Sequence, residues 1–154
     1  KEQKEPLLFL CHRIPFPPNK GDKIRSFNIL KALTKQYDVY LGCFIDDKYD
    51  ERYVDELKNY CHELFTLNQH KLVCKVKGLK SFFTNQAITI PYYFDSKMQS
   101  WVAEKTQAHG IKKVFVYSSS MAQYVESENF QNKHRVIDFV DRKENQKINK
   151  GWVS

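Results

Sequence analysis

The chain has 154 residues, of which 42% are hydrophobic, 28% charged and 14% aromatic. That is bulk for one globular domain, and it excludes a disordered tail, a collagen-like repeat and a disulfide-dense miniprotein. The formal charge of +7 admits an anionic ligand or surface but does not by itself imply nucleic acid.

No apolar run approaches the roughly 18 residues of a membrane span. The polar start, Lys1 to Pro6, lacks the apolar stretch of a secretory signal. The cysteines (Cys11, Cys43, Cys61, Cys74) show neither C-x-x-C spacing nor a histidine at finger spacing. No metal site is expected, and the thiols are expected to be reduced, in a cytoplasmic setting.

Residues 7–11, LLFLC, form an unbroken apolar run that fits a strand buried on both faces. Three prolines within 12–20 then hold a loop in a defined shape. Residues 21–36 read as a helix with Ile24, Phe27, Leu30 and Leu33 inward, and Asp22 in the first turn, where the helix dipole favours an acid. A second strand is predicted over 37–45 and a polar turn over 46–50. A helix over 51–60, with Val54, Leu57 and Tyr60 inward, and a strand over 62–67 follow.

Residues 71–83 carry an apolar stripe, Leu72, Val76, Leu79 and Phe83, with lysines on both flanks. A helix over 96–109 ends at Gly110, a left-handed cap residue. A strand over 114–117, a turn over 118–120, a short helix over 121–125 and a last strand over 136–140 complete the alternation. After Asp141 the chain is polar, apart from Trp152 and Val153. This order predicts an α/β fold with a doubly wound, mainly parallel sheet flanked by helices. Ligands of such sheets bind beyond the carboxyl ends of the strands.

Several constellations fall there. In PFPPNKGDKIR, a stiff loop leads to Gly21 at a helix start, with Lys20, Lys23 and Arg25 nearby. Glycine allows close backbone approach, and first-turn N–H groups attract anions, so the loop is a candidate phosphate or diphosphate cradle. The competing reading is a tight turn with solvated lysines. The loop matches neither G-x-G-x-x-G nor a Walker loop.

His12 and Arg13 follow the first strand and can hold a proton or an anion. The three hydroxyls of 118–120 can bind a sugar or cap the next helix. Asp138 and Asp141 flank the end of the last strand and suit acid–base work, capping or a salt bridge equally. Between Glu63 and Asp95 there is no acid, and Lys71, Lys75, Lys77 and Lys80 lie in that gap. This segment reads as a membrane-surface helix or as a core helix with solvated lysines.

The segment LLFLCHRIPFPPNKGDKIRSFNIL resembles the opening of bacterial glycosyltransferases of family 4, especially the sugar transferases associated with exosortase and exopolysaccharide systems. YLGCFIDD, PYYFD, FVYSSSMAQY and RVIDFVD resemble further blocks of that family. The resemblance implies the N-terminal half of a GT-B fold, a Rossmann-like acceptor-side domain over 1–141, with 142–154 as a polar tail. It places the donor-binding domain outside this chain.

The reaction implied is retaining transfer of a sugar from a UDP- or GDP-sugar to a glycan or lipid-linked acceptor, as in polysaccharide biosynthesis, without a bound metal or other cofactor. Asn19, Lys20, Gly21, Asp22, Lys23 and Arg25 would face the donor diphosphate. His12, Arg13, Tyr92, Tyr93, Ser118, Ser119 and Asp141 would line the acceptor side. The catalytic groups would come from elsewhere, so the fragment alone is expected to be inactive. Lys71, Lys75, Lys77 and Lys80 would meet the inner face of the plasma membrane, and no nucleic acid is expected. The alternative is a non-catalytic Rossmann-like module that docks on an anionic membrane or a partner protein.

Overall fold

The computed structural model describes residues 3–68 and 94–138 of the chain, and the backbone of 152–153. Strand β1 (Glu5–Cys11) lies at the centre because its apolar run gives both faces something to bury. Leu7, Phe9 and Cys11 point to one side, into a cluster with Phe27 and Leu30 of helix α1 (Gly21–Thr34). Leu8 and Leu10 point to the other, against Met98, Trp101 and Val102 of helix α3 (Ser96–Ala108).

Strand β2 (Tyr37–Ile45) follows α1 and divides its residues the same way. A 3-10 helix (Lys48–Tyr53), a single turn α2 (Val54–Leu57) and a second 3-10 turn (Lys58–Tyr60) lead to β3 (Glu63–Asn68). After α3 come β4 (Lys113–Tyr117), 3-10 segments at Ser119–Val125 and Glu128–Phe130, β5 (His134–Asp138) and a two-residue strand β6 (Trp152–Val153).

The strands are ordered β3-β2-β1-β4-β5-β6, and every pairing is parallel. This is a doubly wound α/β sheet of Rossmann-like order, as the alternation predicted. Phe9 is level with Leu41 on one side and Phe115 on the other, and the Phe9 and Phe115 rings stack at 5.4 Å. Helix α3 lies so close to β2 that a Cβ on Gly42 would stand 2.9 Å from Trp101 Cζ3. Gly110 has φ +58° and ends α3 as expected. The start of α3 is capped by Asp95, whose carboxylate accepts the Lys97 N–H at 2.8 Å.

Four expectations are corrected. In α1 the buried arc is Lys23, Ser26, Phe27 and Leu30, while Ile24 is 45% exposed. Lys23 takes an interior position because Asp50 meets it there. The helix predicted over 51–60 is mostly 3-10, with Leu57 inward but Tyr60 exposed. The last predicted strand begins earlier, at His134. Trp152 and Val153, read as part of a polar tail, pair with Arg135 and Val136 as β6. The helix expected over 71–83 lies outside the described residues, as do Lys71, Lys75, Lys77, Lys80, Tyr92, Tyr93 and Asp141.

Candidate functional site

The order of the strands reverses direction between β1 and β4, and such a switch point opens a crevice at the carboxyl ends of the two strands. His12 and Arg13 extend β1 into it, Asp46 extends β2, Ser118 extends β4, and Asp138 ends β5. Helix α1 begins at Gly21 beside them.

Arg13 bridges two acids. Its Nη1 lies 3.3 Å from Asp22 Oδ2 and its Nε 2.9 Å from Asp46 Oδ2. This pins the first turn of α1 to the end of β2. His12 Nε2 is 3.8 Å from the same Asp22 oxygen. Burial pushes the His12 pKa below 6.5; the Asp22 carboxylate opposes that shift without reversing it. The imidazole is therefore neutral at pH 7.

Tyr117 closes the crevice floor. Its ring stacks on His12 at 6.0 Å between centroids, and its hydroxyl donates to the Asp22 carbonyl at 3.1 Å. Burial raises its pKa to about 12, so it stays a neutral donor. Ser118 follows with φ +88° and ψ 134°, a backbone state in which a side chain costs about 1–3 kcal/mol. Its N–H donates to the Asp138 carbonyl at 2.9 Å, and its hydroxyl pairs with that of Ser120 at 2.9 Å. Ser119 opens the 3-10 segment.

The residues expected to face a donor fall into two groups. Gly21 is exposed, and a Cβ placed there would meet nothing within 4 Å. Lys20 is exposed at the cap position, and Asn19 is exposed beside it, with its N–H on the Pro17 carbonyl. The first-turn N–H groups of α1 have no acceptor within the helix. Lys23, by contrast, is buried and lies 2.7 Å from Asp50, also buried. Arg25 is solvent-exposed yet bound to Asp138 at 2.8 Å. Positive potential at this loop therefore comes from the helix terminus and Lys20. It does not come from the three basic side chains that the spacing suggested.

Asp46 and Tyr117 were not singled out from the sequence. Their signal was positional: each is a residue at the carboxyl end of a strand adjoining β1. Two recesses of other kinds lie elsewhere. One, about 380 Å³, is lined by Phe65, Trp101 and the start of α3, and one of about 410 Å³ lies at the amino ends of β1 and β2. Neither joins the crevice. Among the described residues no group of His, Cys, Asp and Glu is placed to hold a metal, and no helix is long and apolar enough to cross a membrane. Comparisons with protein-family models, with curated proteins and with solved structures found no match.

Proposed function

We propose that this chain is the acceptor-side domain of a retaining glycosyltransferase that moves a sugar from a nucleotide sugar to a glycan or lipid-linked acceptor. The observation that carries the reading is the start of α1. Gly21, with open space in front of it, presents a helix N-terminus beside the switch-point crevice. That arrangement suits the diphosphate of a UDP- or GDP-sugar. The HRIPFPPNKGDKIR segment that builds it is also the segment with the closest resemblance to the family.

In this reading Gly21 and Asp22 lend backbone N–H groups to the departing diphosphate and Lys20 adds charge. Arg13 holds Asp22 clear of that position by binding its carboxylate. Neutral His12, stacked on Tyr117 at the end of β1, belongs to the acceptor side in this reading. Catalysis then rests on positioning and charge stabilisation. A second domain would supply the remaining donor contacts, and the site of action would be the cytoplasmic face of the plasma membrane.

Titration of the chain with pyrophosphate, UDP and GDP, followed by NMR and calorimetry, tests the cradle. Pyrophosphate should move the amide signals of Asn19–Lys23 with weak affinity, and Gly21→Val should abolish this without unfolding the domain. Silence at Gly21 would sink the reading. Micromolar affinity would contradict the assignment of most donor contacts to another domain.

A further inference from the structure

Ser118 is the one non-glycine residue at positive φ among the described residues. Glycine would adopt φ +88° without strain, so a serine there asks what its side chain does. The residue is nine-tenths buried and follows the carboxyl end of β4 beside the switch-point crevice. Its side-chain partner among the described residues is the Ser120 hydroxyl at 2.9 Å, and Ser120 is 2% exposed.

Two hydroxyls carry two protons, and one mutual hydrogen bond uses one of them. The pair therefore holds a surplus donor, together with unused acceptor lone pairs, at a buried position where an unmet donor is costly. Among the described residues no backbone carbonyl accepts from either hydroxyl. The Ser118 carbonyl already accepts from the Met121 N–H, and the Ser120 carbonyl from Gln123 Nε2. A group that both accepts and donates fits this pair, and a hydroxyl is such a group.

An anion fits less well. The Ser118 N–H, which could have stabilised one, is engaged by the Asp138 carbonyl. The Asp138 carboxylate lies on the neighbouring strand end, with Arg25 already bound to it.

We infer that Ser118 and Ser120 form a subsite for a neutral sugar, gripping one of its ring hydroxyls, and that this subsite determines which acceptor the protein takes. The inference rests on the acceptor-side reading above and sharpens it. The acceptor's terminal unit is an uncharged sugar, and Ser118 is its specificity-determining residue. The strained backbone of Ser118 is what brings its hydroxyl to that of Ser120 at the end of β4.

The test uses the 154-residue chain and a panel of methyl glycosides differing in ring-hydroxyl configuration, with inorganic phosphate as the anionic arm. Binding is read from the amide signals of Ser118, Ser120 and Met121, and stability from thermal unfolding. At least one glycoside should shift those signals at millimolar concentration, with preference among epimers, and phosphate should not. Ser118→Gly should weaken that binding about fivefold or more while raising the unfolding temperature, because it removes hydroxyl and strain together. Ser118→Ala should weaken binding similarly without the thermal gain. A purely structural serine would change stability and leave binding alone. The inference is overturned if no glycoside shifts these signals, if phosphate alone does, or if Ser118→Gly binds as the parent does. Binding of sugar without any pyrophosphate effect at Gly21 would keep this subsite and discard the transferase reading.

Discussion

Lys23 and Asp50 meet at 2.7 Å with both side chains buried, which ties the first turn of α1 to the 3-10 helix after β2. The pair holds the first turn of α1, which begins at Gly21, against that segment. It also takes the Lys23 charge away from the solvent around the start of α1. A buried pair of this kind gives little net stability against an apolar pair of similar volume, but breaking it leaves a lone buried charge.

Lys23→Met should therefore destabilise the domain by about 3–5 kcal/mol. Lys23→Met combined with Asp50→Leu should recover most of that loss, because no charge is then left buried. Urea unfolding of the two variants and the parent decides the point. Equal loss in the single and double variants would mean that the lysine stem, rather than its charge, fills the position.

The doubly wound fold was readable because LLFLC, YLGCFI and VFVY are continuous apolar runs separated by helical patterns, which is what strands buried on both faces require. The face of α1 was not. Ile24, Phe27, Leu30 and Leu33 satisfy helical spacing, yet Lys23 displaces Ile24 from the interior. The partner that allows this lies 27 residues away, beyond any local pattern. The crevice shows the same division. His12, Arg13, Gly21 and Ser118 were legible because each follows a strand or opens a helix. Asp46 and Tyr117 became meaningful only through register, which sets Cys11 level with Tyr117 and Tyr117 level with Asp138. β6 is two residues long and left no periodic signal at all.

Two glycines should respond in opposite ways to the same substitution. At Gly42 a Cβ would stand 2.9 Å from Trp101 Cζ3, 3.0 Å from Leu10 Cδ2 and 3.0 Å from Met98 Sδ. Three packed side chains would have to move, so Gly42→Ala should cost about 1–3 kcal/mol. At Gly21 the same Cβ meets nothing within 4 Å. Gly21→Ala should leave stability unchanged or raise it by up to about 1 kcal/mol through the unfolded chain. Thermal unfolding separates them, and a destabilised Gly21→Ala would mean that the space in front of Gly21 is not open.

Tyr117 links the end of β4 to α1 by a single side-chain hydrogen bond, hydroxyl to Asp22 carbonyl at 3.1 Å. Tyr117→Phe keeps the ring on His12 and deletes that bond. The expected loss is about 0.5–1.5 kcal/mol, the usual net worth of one intramolecular hydrogen bond. For a chain of this length that is a fall of several degrees in unfolding temperature. The amide signals of Gly21 and Asp22 should move with it. Unchanged signals there would show that the first turn of α1 is held without the tyrosine.

His12 should leave a mark on the pH dependence of stability. Burial lowers its folded pKa below 6.5, against the pull of Asp22 and Asp46 and with the help of Arg13. Between the folded value and about 6.5 the unfolded chain binds the proton more readily than the folded one. Stability therefore rises with pH through that window. It is fully present above about pH 6.5 and is lost progressively as the pH falls toward the folded pKa. His12→Gln removes this contribution. Urea midpoints for parent and variant, taken at steps between about pH 7.5 and 5, should converge as the pH falls, before carboxylates dominate. Parallel curves would mean that the imidazole is protonated as easily in the crevice as in the unfolded chain.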